Sequence, residues 1–178
     1  NRMITTVSKF IKDTKPTNIL TLLADTFKIL NNEKMVFISH KHGESDYVYR
    51  LVDLLKTNGF TGYVDWQDDQ MPVETSGITA SKIKENITKA YKFILIATDA
   101  AVASKWCNWE LGFGDAHKFE DHIAVLPIKK DNIDYSGQEY LSIYPTLQRR
   151  GNYEYLKDDY YIHYPGGREL SLREWLNL

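Results

Sequence analysis

The residues with the clearest chemical potential are Trp106 and Glu110, which stand four positions apart in the segment KWCNWELGFG. At that spacing, two side chains on a helix lie one above the other. An indole beside a carboxylate would give a cleft an aromatic wall and a carboxyl group whose ionisation the wall influences. The same spacing also fits an exposed glutamate on an amphipathic helix whose tryptophan fills a groove, and spacing alone favours this second interpretation.

The helix that carries this pair also contains residues suited to packing. Cys107, Leu111 and Gly114 share one face, which we expect to contact a sheet. Gly112 and Gly114 are poor helix formers, and they indicate close packing or the close approach of another group. Cys107 is the single cysteine of the chain, and we interpret it as a small apolar side chain packed under the helix.

Short apolar runs alternate with helical patterns along the chain. Strands are predicted at 35–39, 62–66, 92–98, 122–128 and 159–164, and helices at 46–60, 78–91, 102–119 and 171–178. Two further helical patterns, at 3–12 and 17–30, predict a helical N-terminal extension over residues 1–33. Strands that alternate with helices predict a parallel sheet covered on both faces, with right-handed crossovers.

Ligand sites in parallel sheets of this kind form beyond the carboxyl ends of the strands. Three of the predicted strand ends carry polar residues, namely the groups Ser39-His40-Lys41-His42, Asp65-Trp66 and Thr98-Asp99. His40 and His42 are two positions apart, a poor spacing for a shared metal face, so we expect no metal site. The loops after these strands are therefore where the chemistry is expected.

Composition excludes several broad classes of protein. The length of 178 residues suits one sizeable core, and the net charge of −2 gives no electrostatic reason to expect nucleic acid or an anionic membrane as the main partner. No apolar run approaches the roughly 20 residues of a membrane span. A single cysteine permits no intramolecular disulfide, which favours a reducing compartment and a cytoplasmic location. The motifs GxxxxGK(S/T), GxGxxG, GxSxG and HExxH are absent.

Two segments, read in order, resemble the Toll/interleukin-1 receptor (TIR) domain: MVFISHKHGESDYVYRLVDLLKTNGFTGYVDW and SGITASKIKENITKAYKFILIATDAAVASKWCNWELG. The resemblance is best over residues 34–130 and defines a domain over 34–178. The pieces SHKH, VDWQDDQMP and TSGITASKIK are more similar to the bacterial branch, which includes Thoeris-type anti-phage defence proteins, than to animal receptor adaptors. The resemblance implies a flavodoxin-like, three-layer α/β/α fold with a central five-stranded parallel sheet.

The resemblance also implies an activity. Many TIR domains of bacteria and plants, and some of animals, cleave the nicotinamide–ribose bond of NAD+ with a glutamate in a W-x-x-x-E pattern, which here is Trp106 to Glu110. The loop after the first strand carries basic residues near the phosphates, here Lys41 and His42, and Tyr63 matches an aromatic residue that contacts the base in some members. Lys41 stands where arginine is common, and lysine binds phosphate as a point charge without a bidentate fork.

Glu110 is therefore the candidate catalytic residue. The candidate substrate-binding residues are Trp106, His40, Lys41, His42, Tyr63, Asp65, Trp66, Ser76 and Gly77. NAD+ enters this hypothesis as the substrate, and no separate cofactor is implied.

The chemistry of NAD+ cleavage fits a single glutamate. Nicotinamide leaves from a cationic ring, so no general acid is required, and a nearby carboxylate stabilises a transition state that resembles an oxocarbenium ion. We therefore expect Glu110 to act in its ionised form. Attack by water gives ADP-ribose, attack within the same molecule gives a cyclic isomer, and attack by another molecule gives a conjugate. By resemblance, the product would be an anti-phage signal for a nucleotide-activated effector, or the reaction would deplete NAD+.

Three alternatives remain open. A TIR domain can act without catalysis, by self-association through the loop after the second strand, here Trp66 to Ser76, and the two roles coexist when a neighbouring protomer completes the site. A phosphoacceptor receiver domain shares the parallel sheet, but the first strand here ends in Ser39-His40 rather than in paired acids that could hold magnesium. A nucleoside deoxyribosyltransferase-like enzyme shares both the sheet and the glycosidic chemistry.

Overall fold

The structure is a computed structural model that describes residues 5–13, 34–64, 76–118, 120–130, 139–150 and 160–178. Eight strands in these ranges form one sheet. They are β1 (Thr5–Thr6), β2 (Met35–Ser39), β3 (Thr61–Tyr63), β4 (Lys92–Ala97), β5 (Ile123–Lys129), β6 (Thr146–Arg149), β7 (Tyr160–His163) and β8 (Glu169–Ser171). The helices are α1 (Val7–Asp13), α2 (Ser45–Thr57), α3 (Gly77–Lys89), α4 (Asp99–Val102), α5 (Lys105–His117) and α6 (Leu172–Leu176), with 3₁₀ turns at Glu120–His122 and Glu139–Ile143.

The sheet has a parallel core with an antiparallel edge. Its strand order is β3-β2-β4-β5-β6-β7-β8, and β1 pairs separately with β5. All pairs from β3 to β6 in this order are parallel, which confirms the predicted five-stranded parallel core. The strands β7 and β8 extend the core as an antiparallel edge, so the full sheet has more strands than predicted.

The prediction that 159–164 forms the fifth parallel strand was wrong. That segment is β7, which pairs antiparallel with β6, and β6 is the fifth parallel strand. The sequence of β6 is TLQR, in which Leu147 is the only large apolar residue. A strand with a single large apolar side chain has no continuous apolar run, so it cannot be recognised from the pattern of apolar residues in the sequence.

Each face of the sheet is covered by its own layer of helices. On one face, α1, α2 and α6 pack on a core cluster whose strand residues include Val36, Ile38, Ile94 and Ile96. On the other face, α3, α4 and α5 pack on a cluster that includes Met35, Phe37, Phe93 and Leu95. Strands buried on both faces require apolar residues at successive positions, which explains why β2 and β4 are continuous apolar runs. The predicted three-layer α/β/α architecture is confirmed.

The described part of the N-terminal extension docks on the domain. A helix was predicted at 3–12, and the structure places a strand first, because β1 pairs in parallel with the end of β5 at Ile128 and Lys129. The helix α1 then begins at Val7. The second predicted helix, at 17–30, lies outside the described residues.

The helix α1 packs against α2 as well as against the sheet. Phe10 is fully buried, and its ring centroid lies 6.1 Å from that of Tyr47. The guanidinium of Arg50 donates a hydrogen bond to the carbonyl oxygen of Ile11 at 2.7 Å. The extension therefore covers the helix that directly follows the loop after β2.

Within the described residues, no helix is long and apolar enough to cross a membrane.

Candidate active site

Glu110 lies inside the domain rather than on its surface. Its exposed fraction is 1%, and the hydroxyl of Ser39, the last residue of β2, donates a hydrogen bond to its carboxylate. The buried residues of α5 are Cys107, Glu110, Leu111 and Gly114, an i, i+3, i+4, i+7 stripe. Glu110 thus lies in a buried stripe whose other members are small or apolar residues. The interpretation of Glu110 as an exposed residue of an amphipathic helix was wrong.

The packing of α5 explains how this carboxylate reaches the sheet. Ser104 caps the helix by accepting a hydrogen bond from the backbone N–H of Cys107 at 3.4 Å. A Cβ atom at Gly114 would lie 3.3 Å from Cδ2 of Phe93 in β4, so glycine allows the helix to approach the sheet closely. The predicted close packing is confirmed at Gly114, whereas a Cβ atom at Gly112 would meet open space.

Trp106 lies one helical turn before Glu110, at the edge of the buried stripe of α5. It is half-buried, and its ring stacks on that of Trp109 with centroids 4.8 Å apart. The aromatic row continues through Phe113 to His117 along the same side of the helix. Its indole Nε1 is buried and has no hydrogen-bond partner in the described part of the chain. Trp106 is therefore an aromatic side chain on the helix turn before Glu110, as the spacing predicted.

The loop after β2 lies against α5. His40 is buried, and its carbonyl oxygen accepts a hydrogen bond from the Cys107 thiol at 3.3 Å. Nδ1 of His40 lies 3.4 Å from the carbonyl oxygen of Ile38. Together with the bond from Ser39 to Glu110, this contact joins the end of β2 to α5 at two successive residues. His40 is therefore part of the packed contact between the end of β2 and α5.

The two basic candidates follow directly in the chain. Lys41 is half-buried and His42 is exposed. The turn ends at Gly43, whose φ of 86° lies in the left-handed region that favours glycine. Both basic side chains are thus carried by a tight turn at the carboxyl edge of the sheet, next to the strand that ends in Ser39.

A second carboxylate, that of Glu44, lies at this edge and was not among the candidates predicted from the sequence. It accepts a hydrogen bond from the backbone N–H of Lys41 at 3.2 Å and another from the hydroxyl of Thr98, the residue after β4. Burial raises the pKa of the Glu44 carboxyl above its ordinary value, and the bonds from Thr98 and Lys41 act in the opposite direction. In the sequence, the feature that could have indicated Glu44 is its position, directly between the turn that carries Lys41 and His42, here called the basic turn, and the start of α2.

The remaining candidates lie on the β3 side of the sheet. Tyr63 is half-buried at the end of β3, and its hydroxyl accepts a hydrogen bond from the side-chain amide of Asn86 in α3. Ser76 caps α3 by accepting from the N–H of Thr79, and Gly77 is the first, exposed residue of that helix. Two further candidates, Asp65 and Trp66, lie outside the described residues.

The described contacts tie Glu110 to Ser39 and, through Cys107, the same helix to His40. Tyr63 is instead tied to α3. Across the described ranges, no group of three or more His, Cys, Asp or Glu side chains could hold a metal ion. The arrangement is a buried carboxylate beside a basic turn, which can stabilise a positive charge at one point and bind an anionic group nearby.

Comparison with known proteins identifies the fold family. The family model for the TIR domain matches residues 36–159. This chain belongs to the TIR domain family. The matched range begins in β2 and includes the basic turn, Glu44 and the whole of α5, so the candidate site lies entirely within the TIR domain. The match also extends beyond residue 130, where the resemblance read from sequence was weaker.

One curated relative of this TIR domain is a protein of Bacillus cereus (strain MSX-D12) named "Probable 3' cyclic ADP-D-ribose synthase ThsB'". It is 27% identical over 161 residues, and the alignment covers 87% of this chain and 82% of the relative. The similarity therefore extends over most of both chains.

Proposed function

We propose that this TIR domain is an enzyme that cleaves the nicotinamide–ribose bond of NAD+, with Glu110 as the catalytic carboxylate. The burial of Glu110 on the inner stripe of α5 carries the proposal. A buried ionisable side chain costs folding free energy, and such groups are concentrated at functional sites. The name of the Bacillus cereus relative, a cyclic ADP-ribose synthase, supports the same bond as the target.

In the proposed reaction, the bond between the ribose C1 and the nicotinamide nitrogen breaks, and its electron pair leaves with nicotinamide. The ring is cationic before cleavage and neutral afterwards, so its departure needs no acid. Positive charge develops on the ribose, and the carboxylate of Glu110 stabilises it. Ser39 holds this carboxylate through its hydroxyl, which fixes the position of the negative charge.

The basic turn has a binding role in this proposal. Lys41 and His42 bind the diphosphate of NAD+, each as a point contact rather than as a bidentate fork. Trp106 provides an apolar wall on the turn of α5 before the carboxylate. The roles of His40, Tyr63, Asp65, Trp66, Ser76 and Gly77 in substrate binding stay predictions.

A cyclic isomer of ADP-ribose is the product that we favour. A hydroxyl of the same molecule attacks the ribose C1, its oxygen forms the new bond, and its proton passes to solvent. The name of the relative supports cyclisation over hydrolysis, in which water attacks and ADP-ribose forms. Such a nucleotide would serve as an anti-phage signal for a downstream effector protein.

The test is product analysis by chromatography after incubation of NAD+ with the protein over a range of protein concentrations. Glu110→Gln keeps the shape of the side chain and removes its charge, so we expect loss of nicotinamide release without loss of the fold. Glu85→Gln is the matched control, because Glu85 is an exposed residue of α3 that pairs with Lys89. Circular dichroism would establish that each variant is folded.

Each outcome has a separate meaning. Nicotinamide release that requires Glu110 supports the enzyme, and the second product then distinguishes a cyclase from a hydrolase. Activity that rises steeply with protein concentration would indicate that association of TIR domains completes the site. Normal turnover by a folded Glu110→Gln variant would overturn the role of Glu110. No NAD+ loss at any concentration would favour the alternative, a non-enzymatic assembly module.

A further inference from the structure

The carboxylate of Glu44 joins two elements that meet beside the candidate site. One oxygen accepts a hydrogen bond from the backbone N–H of Lys41 at 3.2 Å, and the other accepts from the hydroxyl of Thr98. Lys41 belongs to the turn after β2, and Thr98 follows β4. Since β2 and β4 are adjacent in the sheet, Glu44 connects the two central strand ends at the carboxyl edge.

The hydroxyl of Thr98 makes a second contact besides the one to Glu44. The Thr98 hydroxyl oxygen accepts a hydrogen bond from the backbone N–H of Ala101 at 3.0 Å, as the cap of α4. Its proton is donated to the carboxylate of Glu44. An ionised carboxylate accepts at both oxygens, which matches the two contacts of Glu44.

The backbone of the same turn is closed on itself. The N–H of Glu44 donates to the carbonyl oxygen of Lys41 at 3.1 Å, and Gly43 takes the left-handed conformation between them. The side chain of Glu44 returns to the N–H of Lys41. The turn that presents Lys41 and His42 is thus held by its own backbone and, through one side chain, by the end of β4.

We propose that Glu44 is a positioning residue for NAD+ binding, which fixes the turn bearing Lys41 and His42 against Thr98 without itself touching the substrate. This role rests on the proposed NAD+ cleavage, because it assigns a task to the same turn. A loosened turn would weaken the contacts to the diphosphate, whereas Glu110 and Ser39 would keep their positions. Loss of Glu44 should therefore act on KM more than on kcat.

Two substitutions break the same bridge from opposite sides. Glu44→Gln keeps the shape and loses one acceptor oxygen, and Thr98→Val loses the donor hydroxyl. Since hydrogen bonds to charged groups are among the stronger ones, we expect each variant to raise KM for NAD+ roughly tenfold. Thr98→Ser restores the hydroxyl and should recover most of the loss. Asp46→Asn is the matched control, because Asp46 is an exposed acid two positions away that pairs with Arg50.

The pH dependence of KM distinguishes this positioning role from a purely structural one. The pKa of Glu44 is raised by burial, so its charge is lost as the pH falls through that raised value, and KM should rise on the acid side in the wild type. The same dependence should be absent in Glu44→Gln. The other titratable groups on this turn and on the elements packed against it are His40, Lys41, His42, Asp46, Asp99 and Glu110. These groups are the same in the wild type and in Glu44→Gln, so a difference between the two pH profiles reports on Glu44.

A measurement without turnover separates this proposal from the proposed function. Hydrogen exchange of the Lys41 amide, followed by NMR, should be faster in Glu44→Gln than in the wild type and unchanged in Asp46→Asn. Faster exchange in a protein that never cleaves NAD+ would support the held turn and overturn the enzyme. Normal KM and normal exchange in Glu44→Gln, with NAD+ cleaved by the wild type, would overturn the role of Glu44 alone. A fall in kcat at constant KM would instead place Glu44 in the chemistry and contradict a positioning role.

Discussion

The hydroxyl of Ser39 donates a hydrogen bond to the carboxylate of Glu110, and both side chains are buried. One residue ends β2 and the other lies in the middle of α5, 71 positions further along the chain. The bond therefore places the negative charge of Glu110 at the carboxyl edge of the sheet, where ligands bind in folds of this class.

Removal of this hydroxyl should reduce turnover. In Ser39→Ala, Glu110 loses a hydrogen bond of the charged class, which is worth about 1.5 to 3 kcal/mol. If that energy holds the carboxylate in its reactive position, kcat should fall roughly tenfold or more. Steady-state kinetics with NAD+ would measure the change. Ser81→Ala is the control, since Ser81 is an exposed residue of α3 whose hydroxyl donates to the carbonyl oxygen of Gly77 in the same helix. An unchanged kcat would mean that Glu110 is positioned by its other contacts.

The two glycines of α5 should respond in opposite directions to alanine. Gly112→Ala adds a methyl group in open space and gains helix propensity, so the free energy of unfolding should rise by about 1 kcal/mol. Gly114→Ala places the same group 3.3 Å from the ring of Phe93, which is fully buried and stacked on Phe37 at 5.5 Å. Overpacking of this kind costs about 1 to 3 kcal/mol and should cancel or reverse the propensity gain. Urea unfolding would measure both, and an equal gain in both variants would contradict the close approach of α5 to the sheet.

The docking of the N-terminal extension can be measured through Phe10. Its side chain is fully buried between α1 and the domain, so Phe10→Ala should lower the free energy of unfolding by about 3 kcal/mol or more. Ile11→Ala is a neighbouring control, because Ile11 is 39% exposed and should cost well under half as much. Equal small effects in the two variants would show that α1 leaves the domain in solution.

Lys92 should make stability depend on pH in the alkaline range. It is a buried residue of β4 whose Nζ donates to the carbonyl oxygen of Asp121 at 2.8 Å and lies 4.8 Å from the ring centroid of Trp175. Burial lowers the pKa of Lys92 from 10.5 to about 8, with Asp121 acting in the opposite direction and Lys34 and Lys118 adding to the lowering. The amine is therefore less readily protonated in the folded protein than in the unfolded chain.

The sign of the effect follows from proton counts. Between pH 8 and 10.5 the unfolded chain binds more protons at Lys92 than the folded protein, so the free energy of unfolding should rise with pH in this window. Each pKa unit corresponds to about 1.4 kcal/mol, which limits the rise to about 3.5 kcal/mol. Lys92→Met should remove it, whereas Lys89→Met, at an exposed lysine, should not. Urea unfolding at several pH values would test this, and parallel curves for wild type and Lys92→Met would contradict it.

The part of the fold that sequence could predict is the part that is buried on both faces. The strands β2, β4 and β5 each require apolar residues at successive positions, and such runs are visible without a structure. In β6, Leu147 alone signals burial, so the order of the last strands could not be derived from apolar pattern. The pairing of β1 with β5 depends on contacts between distant residues, and a strand of two residues carries no pattern of its own.

The candidate site was predictable in its residue types but not in its geometry. Helical spacing placed Trp106 and Glu110 on the same side of α5, and it could not tell how the helix rotates against the sheet. That rotation, which turns Glu110 inward beside Cys107 and Leu111, is decided by packing at Gly114 and by the bond to Ser39. Glu44 was missed because its partners, Thr98 and the N–H of Lys41, are brought to it only by the fold.

The position of Cys107 gives the protein a built-in chemical probe. It is the single cysteine, it is buried, and its thiol bonds to the carbonyl oxygen of His40 between α5 and the turn after β2. A thiol reagent can reach its sulfur only when these two elements separate, so the rate of labelling reports how often the site opens. Because every chain has one thiol in the same place, the opening rate can be followed in the unmodified protein by mass spectrometry.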